Sequence, residues 1–591
     1  MSYKTHAFRL DTDWKELARQ LYEQVSPDFL QEQLRTFAGG QPHPPGTIAN
    51  RVLGERIASD WESWHIPIVR REEFFVTLPL GPSPSGPLNE VILTDAAGSK
   101  VIFEAKNYVS TPSGQTTPVS NLSHSEGNSA EATYGNSDSL SILPIYHAYS
   151  TNGSVTGRFV FLNYCRPQDL VAFDKTQGRQ KGQPSLLCSG KLTAIARLQK
   201  TTRQSKIRAL FTHCDCGSDG SPVPGHHPSA LVLYPDPQDT VSPHHPIYPD
   251  GPGLPGDSPV FGHLCMSHGG GGNPGAPHLP SSIHTYETHE MTPGKALTSI
   301  PVQPISYNDA AVILSHLSGP ELPEEWSGCL ATHLGPSHDS VTPPGTGSDH
   351  IPFSYKLGVP SSYPGFTPDD GLAYPPIYHT AYDVISVAER FTDPAVSDTG
   401  PMPRHRLLVR LYLTMILQLC CASRLPYSIC RWAMTFSKEW AKFKQFAVSK
   451  VPKLASFGVN LDWISEDLDQ MLHSAERVEA FLNTLEHRTT EFPAVLNRTV
   501  ANIPKCFVKP SLSDPDLFPF VLYAPRGFQT VYFHRVQSVF TRFLKHIHDH
   551  NSEEKLNCLR LLKQELSILA SCINQATECM RNGLVGFEGL A

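Results

Sequence analysis

The stretch "PPIYHTAYDVISVAERFTDP", residues 375–394, sets a single histidine, His379, between two tyrosines and directly ahead of a helix-like run. An imidazole in that setting can ligate a metal, but one imidazole cannot hold it, because protein zinc sites use three or four ligands. Whether partners for His379 exist elsewhere decides whether the surrounding fold is that of an enzyme or of a descendant of one.

The chain of 591 residues is long enough for three or four domains with a sizeable core. With 39% hydrophobic and 18% charged residues, most of it is expected to be globular. A formal charge of −8 argues against a nucleic-acid partner, which needs a positive surface. Thirteen cysteines are too few for a disulfide scaffold of this size, and the odd count leaves at least one unpaired. The close pairs Cys214/Cys216 and Cys420/Cys421 lack zinc-ribbon spacing and read as free thiols, as does the "THCDCG" loop at 212–217. The N-terminus reads as lacking a signal-peptide core or anchor. The most apolar run, "LLVRLYLTMILQLCCA" (407–422), is too short to span a bilayer, carries Arg410 and reads as a buried helix. The compartment stays open; sequons begin at Asn121, Asn152 and Asn497 and matter only on the secretory route.

Residues 1–105 open with helical patterns and end in two strand-like runs, "EEFFVTLPL" and "NEVILTD". Residues 110–140, rich in Ser, Thr, Asn and Gly, read as a loop or insertion. From about 141 the predicted elements are short strands separated by turns: "GRFVFLNY", "SGKLTAIARL", "SALVLYPDP" and "SIPVQPISY". The tract "HGGGGNPGAPHLP" lacks the lysine of a phosphate loop and reads as a loop. From about 396 the pattern is helical to the end. Leu461, Ile464, Leu468, Met471, Ala475, Val478, Leu482 and Leu485 step by three and four, which fits a core-facing bundle helix or a seam between subunits.

Six stretches in order carry a resemblance: "CSGKLTAIARLQKTTRQSK" (188–206), "YPDGPGLPGD" (248–257), "SIPVQPISYNDAAVIL" (299–314), "GTGSDHIPFSYKLGVPS" (345–361), "YPPIYHTAYDVISVAERFTDP" and "FPFVLYAP" (518–525). Together they resemble the family of glutamate carboxypeptidase II (N-acetylated alpha-linked acidic dipeptidase) and its non-enzymatic relative, the transferrin receptor. The "PIYHTAYD" form is closer to the carboxypeptidase branch. The resemblance implies a multidomain α/β plus α protein. Peptidase-like pieces fall at 1–105 and 336–395, a strand-rich protease-associated domain at 106–335, and a helical dimerisation domain, hence a homodimer, at 396–591.

The same resemblance implies zinc as the family cofactor, two ions bridged by a carboxylate with a further glutamate as base, and a peptide as substrate. His379 matches the last zinc ligand. Most of the other ligands would lie between the insert and the "GTGSDH" motif, yet "WSGCLATHLGPSHDSVTPPGTGSDH" runs from one directly into the other. His338 and Asp339 are adjacent, so on a strand they would face opposite ways. The pairs Glu72/Glu73, Glu324/Glu325 and Glu553/Glu554 lie in other segments. On the substrate side Arg203 matches the insert's arginine that meets an acidic substrate. Thr346, Gly347 and Ser348 match the "SGN" segment, with serine in place of asparagine, and Tyr378 flanks His379. The later arginine pair and Lys-Tyr pair are absent. These residues imply a truncated, catalytically silent peptidase relative that binds no zinc tightly; the alternatives are a non-catalytic binding or dimerisation protein, or an active zinc carboxypeptidase releasing C-terminal glutamate.

Overall fold

The computed structural model describes residues 14–38, 43–110 (except 75, 77, 80, 83–86 and 96–97), 142–178, 185–214, 227–240, 246–265, 297–317, 326, 348–366 (except 363), 377–488, 494–509, 518–526, 529–547 and 553–583. Three helices open it: α1 (Trp14–Gln24), α2 (Pro27–Ala38) and α3 (Ile48–Ser63). The Thr47 hydroxyl caps α3 by accepting from the Asn50 N–H. An antiparallel pair follows, β1 (Ile92–Thr94) with β2 (Val101–Glu104), and then a second, β3 (Tyr108–Ser110) with β4 (Ile142–Pro144). The run "EEFFVTLPL" forms no strand among its described residues, correcting the expectation; Phe74 is 46% exposed there, with no strand partner to fix an extended backbone.

The middle of the chain builds one four-stranded parallel sheet. Its order is β10 (Val302–Pro304), β8 (Ala230–Tyr234), β7 (Leu192–Arg197) and β6 (Arg158–Phe161). These are the four strand-like runs of the sequence, and every residue of β7 and β8 is buried, as parallel strands covered on both faces require. Parallel pairing needs crossovers. They include α4 (Pro167–Thr176) after β6 and α5 (Arg203–His213) after β7, while β8 leads to the short α6 (Pro237–Thr240), and α7 (Tyr307–Ser315) follows β10. Reading this region as strands and turns alone missed those helices. One face of the sheet packs Ile195, Val232 and Tyr234 with Ile305, Ala310, Ile313 and Ala105. The other packs Ala194, Ala196, Leu231 and Leu233 with Leu170, Ile207 and Leu210.

Cys214 is no free thiol. It closes α5 by a disulfide to Cys188, 26 residues upstream, which replaces the free-thiol expectation for that residue; Cys216 lies outside the described residues. A two-residue strand β5 (His147–Ala148) pairs in parallel with β9 (Gly262–His263). A short helical turn, α8 (Ile385–Val387), follows the 375–384 segment.

The C-terminal part is a helical bundle: α9 (Pro403–Cys421), α10 (Ile429–Lys450), α11 (Asp462–Arg488), α12 (Ala494–Asn502), α13 (His534–His546) and α14 (Glu553–Asn582), with a hairpin of β11 (Tyr523–Arg526) and β12 (Gln529–Tyr532). All eight residues of the Leu461–Leu485 stripe are buried in one core with Trp440, Phe443, Phe540, Leu569 and Ile573. The stripe is therefore a core face within the chain. Helix α9 overturns another expectation: it forms, but none of its residues is buried, and Leu407 and Ile416 are more than half exposed. Its described partners are α1 and α2; α1 is tied to it by a Tyr22–Thr414 hydroxyl contact and by Arg410 Nη2 donating to the Tyr22 carbonyl at 3.1 Å.

Candidate functional site

Arg203 is the first residue of α5. Thr202 caps that helix, its hydroxyl accepting from the Ser205 N–H at 3.2 Å. From that first turn the Arg203 side chain reaches the residue ahead of β9. There Nη2 donates to the Phe261 carbonyl at 2.7 Å, and Nε is sealed from solvent without a hydrogen-bond partner. The next residue is glycine because the guanidinium lies against it: a Cβ on Gly262 would sit 2.5 Å from Arg203 Cζ. The Phe261 N–H in turn donates to the His379 carbonyl at 2.8 Å. One residue just ahead of β9 thus joins Arg203 to the 375–394 segment.

His379 takes a left-handed backbone (φ 62°), and its ring stacks on Tyr378 with centroids 3.9 Å apart. Two further histidines, which the sequence reading did not single out, complete the group. His147 on β5 is buried, and neither ring nitrogen makes a well-formed hydrogen bond. His263 on β9 is exposed and lies 3.3 Å from Gln204 Nε2 through Nδ1. A signal for His147 was present: Pro-Ile-Tyr-His occurs at 144–147 as well as at 376–379.

The electrostatics are those of one cation ringed by neutral imidazoles. Burial pushes the Arg203 guanidinium down to about 10. Burial, then the Arg203 charge, holds His147 well below the usual histidine value. His263 is lowered by the same two causes in the same order. His379 is exposed on its open side, yet the protein packed around its other side, then Arg203 and His263, push it down to about 4. A guanidinium whose Nε lacks a hydrogen-bond partner, set among imidazoles, is suited to a carboxylate, the anion its planar fork matches.

A zinc pair does not fit these residues. Among the described residues no group of three or more His, Cys, Asp or Glu side chains is placed to hold a metal. The charge acting on His379 is that of a guanidinium, which repels a dication. Of the sequence-predicted site residues, Arg203, Tyr378 and His379 come together. Ser348 instead begins a turn, its carbonyl accepting from the Ile351 N–H at 3.2 Å. Thr346, Gly347, His338 and Asp339 lie outside the described residues.

Known proteins carry the same likeness. No family model matches the chain. Transferrin receptor protein 2 of Mus musculus is 32% identical over 199 residues, which is 33% of this chain and 21% of the relative. The glutamate carboxypeptidase 2 homolog of Caenorhabditis briggsae is 26% identical over 320 residues, 54% of this chain and 36% of the relative. That of Caenorhabditis elegans is 25% identical over 334 residues, 56% and 37% respectively. Over part of its length the chain is similar to the glutamate carboxypeptidase–transferrin receptor family. It spans between about a fifth and just over a third of the length of these curated relatives. Both branches of the family are matched: the receptor at higher identity, the carboxypeptidase homologs over a longer stretch. No described helix is long and apolar enough to cross a membrane.

Proposed function

We propose that this chain is a non-hydrolytic member of the glutamate carboxypeptidase–transferrin receptor family that keeps a recess for an acidic group and lacks the dizinc centre beside it. The observation that carries this reading is the charge around His379. The residue that would be the last zinc ligand is driven toward its neutral form by burial and then by the charges of Arg203 and His263. A neutral imidazole can ligate zinc, so what argues against a dizinc centre is the guanidinium beside it, which repels a dication; a hydrolytic site needs acidic side chains that concentrate positive metal charge. The recess supplies one half-buried guanidinium and no acid among its described neighbours, a set that attracts a carboxylate.

The decisive experiment has two arms. Purified chain is assayed for bound zinc and for chelator-sensitive release of glutamate from an acidic dipeptide; the same chain is titrated with a glutamate-terminated peptide by calorimetry. Binding that Arg203→Ala weakens at least tenfold, without hydrolysis or two tight zincs, supports the reading. Two zincs per chain with glutamate release would defeat it in favour of an active carboxypeptidase.

Dimerisation is the family's usual mode of assembly and is proposed here as well. Since the α11 stripe is spent inside the bundle, a dimer has to use another helical face. Trp463 and Leu556, both 65% exposed, are the most open apolar side chains there. Light scattering of the full chain against Trp463→Glu tests that surface; a mass that stays monomeric in both removes it.

A further inference from the structure

The helical part contains a pair of thiols that the recess does not use. Cys506 sits on the short 3-10 turn Ile503–Phe507 and is 8% exposed, whereas Cys579 lies on the outer side of the last turns of α14 and is exposed. Their sulfurs are 3.6 Å apart across 73 residues of sequence, with no side chain between them. From the contact of these two sulfurs we propose that Cys506 and Cys579 are a site of reversible disulfide formation that fastens the Ile503–Phe507 turn to the end of α14.

The chemistry balances with a small disulfide such as oxidised glutathione as oxidant. The Cys579 sulfur, the accessible one, attacks a glutathione sulfur and releases one glutathione thiol. The Cys506 sulfur then attacks Cys579 and releases the second. Two protein thiols and one small disulfide become one protein disulfide and two small thiols, and the two protons leave on those products. Burial, and then the neighbouring thiol, push Cys506 up to about 12, so the second step is the slow one. The same chain already joins Cys188 to Cys214, so oxidative pairing within it has a precedent. Cys572, on α14 two turns before Cys579 and fully buried, is the competing partner for Cys506.

The test uses the full chain, reduced, desalted and exposed under native conditions to glutathione disulfide. Remaining thiols are blocked with N-ethylmaleimide in denaturant before non-reducing peptide mapping. A Cys506–Cys579 linked peptide is expected, absent from Cys579→Ser. The oxidised wild type should melt several degrees above its reduced form, by a margin that shrinks in Cys579→Ser, since a cross-link restrains the unfolded chain. Cys506 recovered wholly as its maleimide adduct, Cys579 carrying glutathione alone, or Cys506 joined to Cys572 would each overturn the proposal. Mapping of the wild type decides the matter even if the serine variant fails to fold.

Discussion

Nη2 of Arg203 donates to the carbonyl oxygen of Phe261 at 2.7 Å, and this bond holds the half-buried guanidinium against Gly262, a residue with no side chain. The guanidinium is the far end of a flexible side chain, so a methyl group at 262 displaces it rather than the strand. Gly262→Ala is therefore expected to leave the melting temperature within a few degrees of wild type. It should weaken binding of a glutamate-terminated peptide roughly tenfold, about 1.4 kcal/mol. Calorimetry of the variant checks this; unchanged affinity would mean that Arg203 does not anchor the ligand.

Two histidines whose ring nitrogens are shut away from solvent make stability pH-dependent with a definite sign. His534, pushed down to about 3 by burial and then by Arg535, and His147, held well below its usual value, stay neutral in the folded chain at pH values where the unfolded chain protonates. The unfolded state then binds more protons, so their contribution is complete above about pH 6.5 and is lost as pH falls below it. The slope is at most about 1.4 kcal/mol per pH unit for each such group. His263 and His379 are exposed, and solvent reduces their share. Urea midpoints at pH 7.5, 6 and 5 should fall in that order, and His534→Gln should flatten the trend. A midpoint that rises on acidification contradicts the assignment.

Helix α9 offers an apolar surface rather than a core. Leu407, Leu411 and Ile416 are 58%, 46% and 51% exposed. Exchanging all three for glutamine removes little packed area, and surface exchanges usually change stability by no more than about 0.5 kcal/mol each. The triple variant should keep its helical circular dichroism, melt within a few degrees of wild type and bind less of a hydrophobic dye. A fall in melting temperature on the order of 10 °C would show that the face is covered in solution.

The contrast between α9 and α11 shows what the sequence could disclose. The steps of three and four from Leu461 to Leu485 give one face, and that face is buried. In α9 apolar residues occur all round the helix, a pattern that suggests a buried helix without giving one face, and the described partners cover only part of it. The four strands of the parallel sheet were legible because buried strands are continuous apolar runs. Helix α5 was not, since "RQSKIRALFTH" buries Lys206 along with Ile207 and Leu210, its ammonium donating to the carbonyls of Tyr164 and Gln199. Arg203 and His379 were recognisable from family motifs, whereas His147 and His263 join them through the pairing of two two-residue strands 115 positions apart at His147 and Gly262, which no local pattern specifies.

The bundle core holds a fully buried ion pair whose removal separates charge burial from packing. Arg535 Nε donates to Glu565 Oε2 at 2.7 Å, Nη2 lies 2.6 Å from the same oxygen, and Nη1 donates to the Lys509 carbonyl at 2.8 Å. Both side chains have no exposed surface. Glu565→Leu strands the guanidinium in a low-dielectric core and should cost about 3–5 kcal/mol. Arg535→Met combined with Glu565→Leu removes both charges, fills a similar volume and is expected to cost far less than the single change. Urea unfolding of the two variants measures the difference; equal losses would mean that the site depends on the shape of these side chains and not on their mutual neutralisation.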